Sequence, residues 1–189
     1  MRSNLYLSAG PAEEPISIIE ARAAARISVD EEDTLLGQLI VSARQWGEAI
    51  TGRVFITQTW QLKLPCFPNC AIELPKPPLV SVTSVKYLDT AGVEQTWAVT
   101  TGYVVYGAAA EMSRGYIEPA YGVSYPSTQS VPDAVRIIFV AGYGAAAAVP
   151  QGIKRALLLH VAEAYQNRER PDFSLAEDAI WPWVSVRFD

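Results

Sequence analysis

Between residues 34 and 50 small or apolar positions return every three or four residues, at Leu36, Leu39, Ile40, Ala43, Gly47 and Ile50. That spacing marks one face of a helix. Asp30-Glu31-Glu32-Asp33 precedes the stripe and Gly52 follows it. Four carboxylates at a helix start suit the macrodipole there, and a glycine suits the C-terminal cap. As a calcium loop the acidic run fails, because it lacks alternating oxygen ligands around a central glycine. An earlier helix is predicted from Ser17, where Ser17-Ile18-Ile19-Glu20 has the spacing of a capping box and residues 21–26 form an alanine-rich continuation.

From Arg53 the period changes to two. Ile56, Trp60, Leu62 and Leu64 alternate with Thr57, Thr59, Gln61 and Lys63, which predicts a strand. Prolines at 65, 68, 75, 77 and 78 then allow only short extended pieces. Residues 80–88 and 93–99 read as a hairpin around Asp89-Thr90-Ala91-Gly92. Shorter strands are expected at 103–106 and 116–117, and a strong one at 135–140, ended by Gly142 and Gly144.

After the alanines of 145–148, Pro150 suits the first turn of a third helix, with Ile153, Ala156, Leu157, His160, Ala164 and Tyr165 on its apolar face and Pro171 beyond its end. The last residues hold Phe173, Leu175, Ile180, Trp181, Trp183, Val184, Val186 and Phe188. Such a segment is costly to leave in water and must dock on its own domain or on a partner. The layout predicts an α+β fold over a single domain, residues 1–189. Its small helical core has two N-terminal helices (16–52) and a C-terminal helix (149–169), with a β-rich insertion (53–148) between them. A flexible leader (1–14) and an aromatic docking tail (170–189) complete it.

Composition narrows the chemistry. Of 189 residues half are hydrophobic and only 19% charged, below the roughly 25% usual in globular chains, which points to surface hidden against a partner. A net charge of -5 argues against coating nucleic acid by bulk charge. The single histidine, His160, sits in a helical stripe and reads as a core or interface residue, not as a base paired with a nucleophile. Cys66 and Cys70 are too few for a disulfide framework and lack the further ligands of a zinc site, so they read as reduced thiols, consistent with cytosolic folding. No phosphate loop, dinucleotide fingerprint or nucleophile elbow occurs. Nothing in spacing selects a pair from Glu111, Glu118 and Asp133 for glycosidase chemistry. The expectation is a non-enzyme with no catalytic residue, no metal and no cofactor. No secretory signal or membrane span is read either.

The ordered motifs resemble a known family. Ile16-Ser17-Ile18-Ile19-Glu20-Ala21, Val29-Asp30, Asp33-Thr34-Leu35-Leu36 and Ile40-Val41-Ser42-Ala43-Arg44 are similar to the opening of tailed-phage head–tail connector (adaptor) proteins. Thr51-Gly52-Arg53, Gln58-Thr59-Trp60, Glu73-Leu74-Pro75, Pro78-Leu79, the strand from Val82 to Asp89 and Gly92 continue the likeness. So do Ile137-Ile138-Phe139-Val140-Ala141-Gly142-Tyr143-Gly144, Val149-Pro150 and Ile153-Lys154-Arg155-Ala156-Leu157-Leu158-Leu159. It spans residues 16–168 and fits the longer members, with a β-rich insertion. Trp181-Pro182-Trp183 is more aromatic than that pattern.

The resemblance implies a structural virion part assembled in the host cytoplasm. Its subunits would form a ring, commonly of twelve, beneath the portal protein and above a tail-side stopper or tail completion protein. DNA would pass through the lumen without sequence-specific binding, and no membrane would be involved. It also implies that the C-terminal tail meets the portal, which makes Phe173, Ile180, Trp181, Trp183, Val186 and Phe188 the candidate docking residues. Removing 171–189 would then leave a folded domain unable to dock; if the tail packs on its own domain, removal lowers the melting temperature instead. The alternative function is a β-rich carbohydrate- or receptor-binding module of a phage tail, using middle-region aromatics such as Trp97 and Tyr106.

Overall fold

A computed structural model describes residues 3–28, 32–110 and 114–185. The fold is α+β. Its contacts divide the chain into two compact units: Met1–Gly10 with Thr57–Gly142, and Pro11–Ile56 with Tyr143–Asp189.

The first unit is built from β-strands. One sheet has five strands in the order β1-β2-β8-β4-β5, namely β1 (Asn4–Ala9), β2 (Gln58–Leu64), β8 (Val135–Ala141), β4 (Leu79–Leu88) and β5 (Glu94–Trp97), each antiparallel to its neighbour. A smaller sheet has the order β3-β7-β6, from β3 (Ile72–Glu73), β7 (Tyr116–Pro119) and β6 (Tyr103–Tyr106). Alternation explains the buried face: Leu62 and Leu64 stand opposite Ile137 and Val135 in register, and all four are buried. The other face is polar. Lys86 bonds Glu94 at 3.0 Å, Arg136 reaches the same carboxylate, and Lys63 lies 3.3 Å from Asp133. The hydrogen bond from Lys86 is the main reason the Glu94 carboxyl titrates below its usual range, with Arg136 adding to it.

Three features of this unit differ from the sequence reading. Residues 4–9, expected as part of a flexible leader, form the edge strand β1, whose paired residues in β2 lie 50 to 59 positions away, so no local pattern announces it. The predicted strand at Ile56 starts instead at Gln58, because Ile56 is a core residue of the helical unit and the chain leaves that unit at Thr57. In β4, register shifts between Leu79 and Ser81 and between Val82 and Ser84 break strict alternation, so that Leu79, Val82 and Val85 all stand opposite the buried Ala141, Phe139 and Ile137. The hairpin turn is as predicted. Asp89 accepts from the backbone N–H groups of Ala91 and Val93 at 3.0 and 2.9 Å, and the strand after it is trimmed to residues 94–97.

The second unit holds α1 (Ile18–Ala25), α2 (Asp33–Thr51), α3 (Gln151–Gln166) and α4 (Ser174–Ile180). Ser17 and Glu20 form the predicted capping box: the Ser17 N–H donates to the Glu20 carboxylate at 2.7 Å, and the Glu20 N–H donates to the Ser17 hydroxyl at 3.2 Å. Those bonds hold the Glu20 carboxyl below its usual range. Gly52 caps α2 in the left-handed region, at φ 68°.

The acidic run at the start of α2 behaves otherwise than predicted. Asp30 and Glu31 lie outside the described residues. Glu32 occupies the cap position without bonding the helix N–H groups; its carboxylate takes Tyr165 and Arg168, while Asp33 takes Arg22 at 2.7 Å. Pro150 stands one position before α3, and α3 ends before Pro171 is reached.

The core of this unit gathers Leu36, Ile40 and Ala43 from α2, Phe55 and Ile56 from the chain after it, Ile153, Leu157 and Val161 from α3, and Ile180 from α4. Gly47 allows the approach. A Cβ there would lie 2.8 Å from Phe55 Cε2 and 3.1 Å from both Ile180 and Leu157, so any side chain would force the elements apart.

Candidate assembly surfaces

The aromatic tail is fixed to its own unit by three arrangements. Ala176 and Ile180 are the inward positions of α4 and are 1% and 0% exposed. Phe173, just before α4, stacks on the His160 ring at 4.1 Å and 4° between planes, and Trp46 of α2 closes on the same imidazole at 4.5 Å. Burial among these rings depresses the His160 pKa, and its Nδ1 has no hydrogen-bond partner among the described residues. Further on, the fully buried Arg53 donates its Nε to the Trp183 carbonyl at 2.5 Å and a terminal nitrogen to the Tyr143 hydroxyl at 3.3 Å. The indole of Trp183 lies over Gly152, where a Cβ would come within 2.8 Å of its Nε1.

The six docking candidates therefore separate. Ile180 is core. Phe173 and Trp183 are half-buried and engaged with their own unit. Trp181 is 72% exposed. Val186 and Phe188 lie outside the described residues. The expectation that removing 171–189 leaves an intact domain is corrected by Ala176 and Ile180, whose loss would open the core.

Buried cations were missed by the sequence reading. Arg44 lies on the inward side of α2, bonded to Glu14 at 2.7 Å and to Glu48 at 3.1 Å. Burial pulls its pKa down, but the two carboxylates outweigh that and hold the guanidinium above its usual value. Arg53 gives no local signal at all, because its partners are a carbonyl 130 residues away and a tyrosine 90 away. Leu175 of α4, one of the apolar tail residues, is 69% exposed. The spacing Ser174-Leu175-Ala176-Glu177, with Ala179 and Ile180 following, is a readable signal for a short amphipathic helix.

In the strand unit the middle-region aromatics do not make an open platform. Phe67 meets Trp97 at 5.1 Å, Tyr125 at 5.2 Å and Tyr87 at 5.7 Å, and Trp97 meets Tyr103 at 5.2 Å. Trp97 is 6% exposed and Tyr103 2%, so the cluster is a closed core and Trp97 offers no face to a sugar. Tyr125 donates to the Cys70 carbonyl at 2.9 Å, and its pKa is pushed up to about 12, chiefly by burial. Tyr106, stacked on Tyr116 at 5.1 Å, is on the surface. Cys66 and Cys70 are free and exposed. No group of three His, Cys, Asp or Glu side chains able to hold a metal occurs among the described residues, and no helix there is long and apolar enough to cross a membrane.

No protein-family model matches the chain, and a search of curated proteins finds no match. Solved structures do match. A chain of the virion of the native gene transfer agent (GTA) particle is 25% identical at a TM-score of 0.81, over 97% of this chain and 96% of that one. A chain from the neck of the native GTA particle, computed with C12 symmetry, is 26% identical at a TM-score of 0.71, over 93% and 96%. A chain from the neck of the empty particle, computed with C6 symmetry, shares the fold at 24% identity and a TM-score of 0.80, over 98% and 97%. Both units thus recur together, across nearly the full length of each matched chain, in structures of a phage-like particle and its neck.

Proposed function

We propose that this chain is a structural component of the neck of a tailed phage or phage-like particle, where its subunits form a ring joining head to tail. The observation that carries the reading is the near end-to-end likeness to chains of the GTA virion and of its neck. The twelvefold and sixfold symmetry of those neck structures supports a ring. Within it the chain acts as a head–tail connector (adaptor) beneath the portal protein, with a stopper or tail completion protein on the tail side. Portal docking falls to the chain after Trp183, which includes Val186 and Phe188, since Ile180, Phe173 and Trp183 are engaged in their own unit. DNA passes through the lumen without sequence-specific contact. The chain's net charge of -5 suits a lumen through which DNA must slide and not adhere.

Removing the gene from its producing genome tests this. The expected product is DNA-filled heads with no tails attached, and tails reappear when the gene is restored. Normal tailed particles without the chain would refute the proposal.

A further inference from the structure

The outermost strands of a sheet carry backbone N–H and C=O groups with no ladder partner, and native chains blunt them with charge, proline or brevity. Most edges of the strand unit follow that rule. β5 is four residues long and carries Glu94, held by Lys86 and Arg136. β3 has two residues, and β6 has four, with Val99 bridged to Tyr103 at its start. β1 is the exception. Its six residues, Asn4-Leu5-Tyr6-Leu7-Ser8-Ala9, hold no charge and no proline, and its pairing with β2 is regular as far as Leu7. Among the described residues β2 is its one strand neighbour, so the backbone groups directed away from β2 meet no strand.

The side chains of β1 carry the same signal. Leu5 stands opposite Leu62 and Leu7 opposite Trp60, so both lie on the face that is core elsewhere in the sheet. Leu7 is nevertheless 51% exposed, because no strand lies beyond it. Tyr6 is on the opposite face, 46% exposed, with the Lys63 ammonium 4.8 Å from its ring centre. Beside Asn4, at the start of the strand, opens a cleft of about 700 Å³ lined by Pro65, Cys66, Gln129, Val131 and Asp133. Its one acid is compensated, since Asp133 accepts from Asn4 at 3.4 Å and lies 3.3 Å from the Lys63 ammonium. Edge and cleft form a track with no uncompensated charge.

We propose that an extended segment of a second protein of the particle adds to β1 as a sixth strand of the sheet. Backbone hydrogen bonds to β1 hold it, apolar residues at alternate positions cover Leu5 and Leu7, and uncharged residues between them lie beside Tyr6. One end of the segment enters the cleft beside Asn4. The inference rests on the ring reading above, which excludes the sheet edges of another copy as the donor. Each strand turns about 20–25° from the last, so the steps from β1 to β5 add up to most of a right angle. A closed ring returns every copy to the same tilt, so the sheet cannot run on from β5 of one copy to β1 of the next. Two β1 strands paired with each other give a closed twofold dimer instead of a ring. β3 is too short to serve, and the start of β6 is already bridged. The added strand therefore belongs to a different protein.

The test uses the full chain, supplied to a producer that lacks the gene. Leu7→Lys places a charge on the edge at an exposed position. The purified variant should melt within about 2 °C of the wild type, while tailed particles fall about tenfold or more. Leu7→p-benzoylphenylalanine, irradiated in purified particles and read by mass spectrometry, should link to one segment of a different gene product. In the unaltered chain, amide hydrogen exchange across residues 4–9 should slow about tenfold or more between the free protein and the particle. Links to other copies of this chain alone, no link at all, or equal exchange in both states would each overturn the proposal. So would full numbers of tailed particles from Leu7→Lys, which would reject the strand addition and leave the neck reading intact. Normal tailed particles without the gene would instead reject the neck reading itself.

Discussion

The two aromatic concentrations of this chain look alike as sequence and do opposite things as structure. In the strand unit Phe67, Tyr87, Trp97, Tyr103 and Tyr125 pack against one another, and the largest of them is 6% exposed. In the helical unit Phe173 and Trp183 are drawn onto His160 and Gly152, while Trp181, one residue after the buried Ile180, stands in solvent. The difference comes from geometry. Strands joined in two sheets surround their aromatics on several sides, whereas a seven-residue helix has one side to bury and must present the other. A concentration of aromatics therefore says that a surface is being hidden, and only the topology says whether the chain hides it itself.

The largest expected effect comes from removing the tail. Truncation before Pro171 removes the buried Ala176 and Ile180 and the half-buried Trp183 packed on the core, and a buried isoleucine alone accounts for about 2–5 kcal/mol. At about 2–4 °C per kcal/mol for a chain of this size, the melting temperature should fall by more than about 10 °C. An unchanged melting curve would mean that the tail packs on nothing and that the contrast drawn here is false. Next comes a matched pair of tryptophans. Trp97→Ala should cost about 3–5 kcal/mol of stability in denaturant unfolding, whereas Trp181→Ala should stay within about 0.5 kcal/mol. Equal losses would break the distinction between closed and open aromatics.

The smallest effect is in pH. Burial among Trp46 and Phe173 lowers the His160 pKa below its ordinary 6.5, so the folded chain binds that proton less readily than the unfolded one. Stability from this group is therefore fully present above about pH 6.5 and declines as pH falls through and below that value. His160→Phe should flatten this part of the stability–pH profile; a profile identical to the wild type would remove His160 from the account.

The sequence carried those parts of the fold that are encoded locally. Ser17 and Glu20 lie three residues apart and bond each other, and Asp89 organises its own turn, so their patterns suffice. The stripe of α2 was legible because one face of a nineteen-residue helix repeats many times. What was illegible depends on distant partners. Asn4–Ala9 is a strand only because β2 lies beside it, and the alternation of β4 is scrambled by two bulges. Nothing local marks Arg53 and Arg44 as buried, because Trp183, Tyr143 and Glu14 reach them only in the fold. Of the assembly surfaces, the tail was visible as a hydrophobic excess, but the division between Ile180 facing in and Trp181 facing out was not.

A chain that joins head to tail at the neck of a particle must close into a ring. Electron microscopy of the purified chain, alone and mixed with the portal protein of the same genome, tests it most directly. Closed rings are expected, either free or seated on the portal. Monomers that bind neither one another nor the portal, at any concentration, would contradict it.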